Sequence, residues 1–446
     1  MGRYSVVKGF RFKVKYRFLI LILLLSNLNI GCSSNTALKP ENDEIKKEQL
    51  IFRITWKAYS GRGEAIQKIV SSYNVENKDG FEIKMTSGDE DFNTVEGMLD
   101  KDSEADIYVL PYRFIKYFGN QKKLTSLTKN FEEEKNFFYG NLWNLGVVGE
   151  EAYGIPWLGH SMGLIYNKDL LNKAGVDPES IKSIEDLVNS FEKIEANTDA
   201  KGIGLVGANH NDVSWMVNQF IYSFGASLVD KDGKKVTINS EKAKAAIEFY
   251  KNTLGKHAQE TWVKDTGIEV MDYFRKQQVA FEFQGLWGVT DIRKSGKPFE
   301  VGVISLDDIG LYSEVGPMML ALPRNMVDKK EEAAIKFIRF LISKEAQETI
   351  MDGEYSPEHE AYYPFRTPVR KDLADSLVFK KYPEFLPFLE GFKNPSIDVP
   401  VPQWQTIKEK YYDPGLNAVM GNKVSIEAFL KTIEEEGNKI LMEEEM

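Results

Sequence analysis

Tyr153-Gly154-Ile155-Pro156-Trp157-Leu158-Gly159-His160-Ser161-Met162-Gly163-Leu164-Ile165-Tyr166-Asn167 is the stretch on which the reading of this 446-residue chain turns. Its centre, Gly159-His160-Ser161-Met162-Gly163, has the G-x-S-x-G spacing of a nucleophile elbow, where a sharp strand-to-helix turn exposes a catalytic serine. An elbow needs an apolar strand before the serine and a helix after it. Here Pro156 stands in the approach, where a central strand would donate a ladder hydrogen bond. Leu164-Ile165-Tyr166-Asn167 on the exit has the composition of a strand. No glycine-rich oxyanion segment lies upstream, although His359 would complete a triad. A serine esterase or hydrolase using Ser161 is therefore the second reading of the chain, not the first.

Outward from this stretch the pattern alternates. On the N-terminal side, Ile51-Phe52-Arg53-Ile54-Thr55-Trp56 predicts a strand, followed by an amphipathic helix with Ile66, Ile69, Val70 and Tyr73 on one face. Phe81 to Met85 alternates as a second strand. Asp106 to Pro111 is a near-continuous apolar run of the kind buried in a parallel sheet. On the C-terminal side, Ser183 to Asp186 has the spacing of a capping box, with Leu187, Val188, Phe191 and Ile194 along the helix it opens. A helix from Ser240, a long helix over 331–351 and a closing helix from Ile426 complete the series. Strands alternating with helices place the chain in the α/β class.

Three short motifs carry less. Asp230-Lys231-Asp232-Gly233 begins like a calcium loop, but Val236-Thr237-Ile238 supplies no ligand series, and Asp232-Gly233 reads as a hairpin turn. Gly88-Asp89-Glu90-Asp91 reads as a solvated loop. Gly202-Ile203-Gly204-Leu205-Val206-Gly207 has dinucleotide spacing, yet its glycines lie within a strand and open no helix. Four histidines and one cysteine build no zinc site, so neither metal nor cofactor is expected.

The single cysteine, Cys32, lies at the end of an export leader. Arg3, Lys8, Arg11, Lys13, Lys15 and Arg17 precede the apolar run 18–25, too short to span a bilayer. Ile30-Gly31-Cys32 resembles the bacterial lipoprotein box, departing from it at Asn29, where that pattern has leucine. The resemblance implies a signal peptide over 1–31, a lipidated (palmitate-bearing) Cys32 and attachment to the extracytoplasmic face of the cell membrane. Residues 33–49 are polar and read, with Cys32, as a flexible tether. Removing the leader takes six of 57 basic residues and none of 67 acidic ones, leaving a formal charge of −16. So acidic a chain excludes nucleic acid as a partner. About 415 residues remain, enough for two cores.

Seven tryptophans are present, and Trp157, Trp287 and Trp404 stand beside glycine or proline at element ends. An indole is a flat apolar plate with a polar edge, suited to stacking on the C–H face of a pyranose. Together with Tyr153-Gly154-Ile155-Pro156, the string Gly163-Leu164-Ile165-Tyr166-Asn167-Lys168-Asp169-Leu170-Leu171 and Ala174-Gly175 resembles the extracellular solute-binding proteins of sugar ABC importers, the class that includes maltose-binding protein. Gln278 to Phe281 with Gly285-Leu286-Trp287, Pro364 to Arg370, and Pro402-Gln403-Trp404 support the likeness.

The resemblance implies a two-lobed, type II periplasmic-binding-protein-like fold, with ligand in the cleft between lobes joined by hinge crossings. The first lobe would comprise 50–157 and 308–360, the second 158–307 and 361–446. It further implies a monomeric, non-enzymatic receptor that delivers a carbohydrate to the permease subunits of an importer. Carried over, the ligand-binding residues are Trp287, Trp404, His160, Arg62, Tyr112, Arg113, Trp215 and Trp157. Arg62, Arg113 and His160 in one cleft would suit an acidic oligosaccharide through charge-assisted contacts. A non-sugar solute is the alternative cargo.

Overall fold

The computed structural model describes residues 47–56, 61–88, 91–101, 104–351, 353–356, 360–364, 366–397, 399, 401 and 403–443. The leader, Cys32 and His359 lie outside them. Strand β1 (Glu48–Ile54) is followed by helix α1 (Gly61–Glu76), which buries Ile66, Ile69 and Val70, and by β2 (Phe81–Ser87). β1 ends at Ile54, so Trp56 lies beyond the strand instead of within it. β3 (Ile107–Pro111) is buried at all five positions. Both β2 and β3 run parallel to β1.

The next strand, β4 (Ile155–Gly159), forms despite Pro156. Its register against a later strand slips at this point, Met319 facing Pro156 while Met318 faces Leu158. That irregularity accommodates a residue with no N–H to give to the ladder. Proline thus bends the pairing and does not end the strand, contrary to the sequence argument. Beyond His160 and Ser161 the chain enters β5 (Met162–Asn167), a strand and not the helix an elbow requires.

β5 opens a second sheet. Helix α2 (Ile184–Asn197) starts at Ser183, whose Oγ accepts from the Asp186 N–H at 3.1 Å. The Asp186 carboxylate accepts in turn from the Ser183 hydroxyl at 2.8 Å and from the Lys182 N–H at 3.1 Å. β6 (Lys201–Gly204) holds Gly202 and Gly204 of the glycine motif, while Gly207 lies beyond the strand. A Cβ at Gly202 would stand 2.4 Å from that of Phe191, so this glycine lets α2 lie close on the sheet. Then follow α3 (Asn211–Ser223), the Val229–Val236 bridge around Gly233, β7 (Val279–Gly285), α4 (Leu286–Lys294) and β8 (Val301–Ile304).

The chain returns through β9 (Ser313–Glu314) to β10 (Met318–Ala321). α5 (Asp328–Leu341) and α6 (Lys344–Met351) replace the single long helix expected over 331–351. Ser343 makes the break: its Oγ accepts from the Ala346 N–H at 3.2 Å, a cap that starts a new helix. β11 (Thr367–Pro368), β12 (Pro395–Ser396) and α7 (Ile426–Glu443) close the chain.

Two sheets result. One has the order β11-β4-β10-β3-β1-β2 and the other β8-β5-β7-β6; β9 and β12 pair separately. The apolar side chains divide accordingly. One cluster surrounds the first sheet and extends through Phe385, Phe388 and Phe392 to α4; the other encloses α2, α3 and α7.

Candidate functional site

Register places one edge of each sheet at the same point. β3 runs parallel to β1, and β10 is antiparallel to both β3 and β4, so β1, β3 and β4 all end on one edge. Thr367, the first residue of β11, pairs with Gly159, the last of β4. In the second sheet Met162, the first residue of β5, pairs with Gly285, the last of β7. Only His160 and Ser161 separate β4 from β5. The ends of β1, β4 and β7 and the start of β11 therefore gather around one crossing. A crevice outside the carboxyl ends of strands is where open α/β sheets bind ligands.

Six side chains meet at this junction. His160 lies edge-on to Trp287, with ring centroids 5.4 Å apart at 81°, and 6.0 Å from Trp215. Arg366, just before β11, places its guanidinium 5.0 Å from the Trp287 ring centroid and 5.6 Å from that of Trp56. Both distances lie within cation–π range. Lys408 extends the series, its Nζ 5.7 Å from the Trp215 ring. Trp56, Trp215, Trp287 and Arg366 are half-buried, whereas His160 and Lys408 are buried. Gly285 makes the arrangement possible, because a Cβ there would stand 2.1 Å from the Trp287 ring.

His160 is fixed from the second crossing. Its Nε2 lies 2.7 Å from Oε2 of Glu314, which is 2 % exposed. A Cβ at Gly316 would come within 2.6 Å of the imidazole Cε1, so the ring is tightly covered on that side. Backbone contacts brace the same region: Ser161 bridges Val315, and the Gly316 N–H donates to the His160 carbonyl at 3.3 Å.

Of the residues singled out from sequence, the structure brings His160, Trp215 and Trp287 together. Trp157 and Trp404 are enclosed. Trp157 packs edge-on to Phe52 at 5.6 Å, and Trp404 lies 5.5 Å from Tyr412 in the second core. Tyr112 is buried at the start of the helix after β3, with half-buried Arg113 over the Phe114 ring at 5.1 Å. Arg62 is half-buried in the first turn of α1. Neither arginine touches His160. Sequence reasoning missed Trp56, Glu314, Arg366 and Lys408. Arg366 lies within the Pro364 to Arg370 segment that carried the family likeness; Glu314 has no local signal at all.

The profile of the bacterial extracellular solute-binding protein family matches residues 58–348. The chain belongs to that family. It is a solute-binding protein of the kind that serves ABC transporters. A probable ABC transporter-binding protein of Deinococcus radiodurans is 24 % identical over 307 residues, 66 % of this chain and 69 % of that protein. The arabinooligosaccharide-binding protein of Bacillus subtilis is 25 % identical over 54 % of each chain. Among solved structures, maltose-bound MalE3 of T. maritima superposes with a TM-score of 0.74 at 20 % identity, over 88 % of this chain and all of the other. Lmo0181 of Listeria monocytogenes in complex with cycloalternan gives 0.73 at 18 % identity, over 88 % of this chain and 98 % of that one. These likenesses establish the two-lobed type II fold.

In this solute-binding protein Ser161 has no catalytic setting among the described residues. It is fully buried, and its hydroxyl donates to the Phe388 carbonyl. The neighbouring imidazole turns to Glu314 instead. A Cβ at Gly391 would come within 2.8 Å of Ser161, so no space adjoins it there. The Glu282 carboxyl on β7 is driven far above its ordinary range. Burial pushes it well above the usual value, the negative charge of Asp291 adds to this, and Arg275 opposes it. At the start of α3, a hydrogen bond to the Asp212 carboxylate raises the His210 pKa. No described helix is long and apolar enough to cross a membrane.

Proposed function

We propose that this protein captures a carbohydrate, an oligosaccharide in the first instance, and presents it to the permease subunits of an ABC importer. One observation carries this reading: three half-buried indoles, Trp56, Trp215 and Trp287, converge with Arg366 and His160 where the strand ends of both sheets meet. Flat apolar plates interleaved with hydrogen-bonding groups match a pyranose, which offers C–H faces and hydroxyl edges. The relatives that bind arabinooligosaccharide, maltose and cycloalternan support the same class.

The lobes divide as 50–157 with 308–360 and 158–307 with 361–446, save that Leu158–Gly159 and Thr367–Pro368 pair within the first sheet. The crossings run through His160, through Glu314 and past Arg366, whose following residues Thr367–Pro368 edge the first sheet. Ligand gripping both lobes would favour the closed arrangement by its differential affinity, the hinge closure for which periplasmic binding proteins are a general example. Trp287, Trp215 and His160 are the leading ligand contacts, with Trp56 and Arg366 added. Trp157, Trp404, Tyr112, Arg62 and Arg113 hold the surrounding framework, and Arg366 takes over the charged role for an acidic sugar. The receptor works without catalysis, as a monomer.

Cys32 bears the lipid that holds the receptor at the extracytoplasmic face, after removal of 1–31. A thermal-shift screen of the mature chain against neutral and uronic oligosaccharides tests the cargo, since a ligand of the native state alone raises the melting temperature. A flat response across the library would end the carbohydrate reading. Release of Cys32→Ser into the medium, with the unaltered protein retained by the cells, tests the anchor.

A further inference from the structure

His160 has two ring nitrogens, and only one is engaged. Nε2 lies 2.7 Å from Glu314. Among the described residues no group hydrogen-bonds Nδ1, and the side chain keeps 10 % of its surface open between Trp215 and Trp287. The backbone that carries Glu314 is held as well. The Glu314 N–H donates to Gln219 Oε1 at 3.3 Å, and the preceding Ser313 Oγ accepts from the Met162 N–H at 2.9 Å. These contacts tie the crossing after β4 to the one before β10.

An ionised carboxylate can only accept. The proton of the neutral imidazole must then reside on Nε2, leaving Nδ1 with its lone pair. We infer that Glu314 is a positioning residue for recognition: by holding the His160 proton on Nε2, it presents Nδ1 as an acceptor between two indoles, where the bound sugar donates a hydroxyl. This rests on the carbohydrate reading above. It deepens that reading by specifying a ligand with a hydroxyl donor at this point, and it disfavours a carboxylate there.

Long-range 15N–1H NMR of the mature chain tests the assignment, with the His160 signals identified by their loss in His160→Gln. The expected result is an Nε2–H tautomer for neutral His160. Glu314→Gln keeps that tautomer, because a carboxamide oxygen also accepts; Glu314→Leu abolishes the tautomer preference. An Nδ1–H tautomer in the unaltered protein, or an unchanged tautomer preference in Glu314→Leu, overturns the inference.

Calorimetric titration with maltotriose and arabinotriose at pH 8 supplies the second arm. Glu314→Gln should bind within about threefold of the unaltered chain; Glu314→Leu should lose about tenfold. Unchanged affinity in Glu314→Leu also overturns it. If neither sugar binds the unaltered chain, the carbohydrate reading and the hydroxyl donor fall together, while NMR separately decides the hold of Glu314 on the ring.

Discussion

Trp157 and His160 lie three residues apart in one extended segment, yet they occupy opposite kinds of environment. Trp157 is sealed beneath the first sheet against Phe52, with no exposed surface. His160 lies at the sheet's edge, between indoles that keep part of their surface open. The difference lies in where β4 ends. One side of Gly159 belongs to a strand with a core over it; the other belongs to a crossing that faces the start of β5 and the end of β7. Aromatic content alone therefore does not mark a site. An indole within a buried strand supports the fold, whereas one just past a strand's end is left available for a ligand.

The two environments should respond in opposite ways to mutation. Trp157→Ala, which empties a large volume in the first core, should cost about 3–5 kcal/mol of unfolding free energy in urea. Trp157→Phe should keep both stability and binding far better. Trp287→Ala should leave stability within about 1 kcal/mol but weaken sugar binding by about tenfold to a hundredfold. Equal losses of stability in Trp157→Ala and Trp287→Ala would erase the distinction.

Glu282 sharpens the contrast within one strand, since it is buried three residues before Gly285 and its oxygens have no hydrogen-bond partner among the described residues. Its carboxyl keeps its proton in the native state well above the range in which the unfolded chain releases it, near 4.5. The native state thus binds more protons over that window, and stability falls as pH rises through it. Glu282→Met should remove this slope. It should stabilise the protein by about 1–3 kcal/mol at neutral pH, with the gain shrinking toward pH 4. Equal gains at pH 4 and pH 8 would contradict the assignment. The smallest effect belongs to Ser161→Ala, which leaves the Phe388 carbonyl short of one donor and should cost about 1 kcal/mol. Ester hydrolysis abolished by this substitution would revive the hydrolase.

Much of this was legible along the chain. The strands ending at Ile54, Pro111 and Asn167 announced themselves by composition, because a buried sheet demands runs such as Ile107 to Leu110. Trp287 was legible as an element-end aromatic, Trp215 only through the family likeness. What escaped were contacts made over distance. Glu314 meets His160 from 154 residues away, and no local pattern marks a carboxylate whose partner arrives by a second crossing. Arg366 was visible as sequence but not as a cation between Trp56 and Trp287, a position that exists only once both sheets present their edges. Pro156 misled because a register slip in the partner strand absorbed it.

Calorimetric titration of the mature chain with the strongest glycan from the thermal-shift screen tests the central claim most directly. Trp56→Ala, Trp215→Ala, Trp287→Ala and Trp157→Phe would be compared with the unaltered protein. Saturable binding in the unaltered chain and in Trp157→Phe, weakened more than about tenfold in each of the other three, is the predicted result. Sugar affinity indifferent to all three half-buried indoles would contradict it.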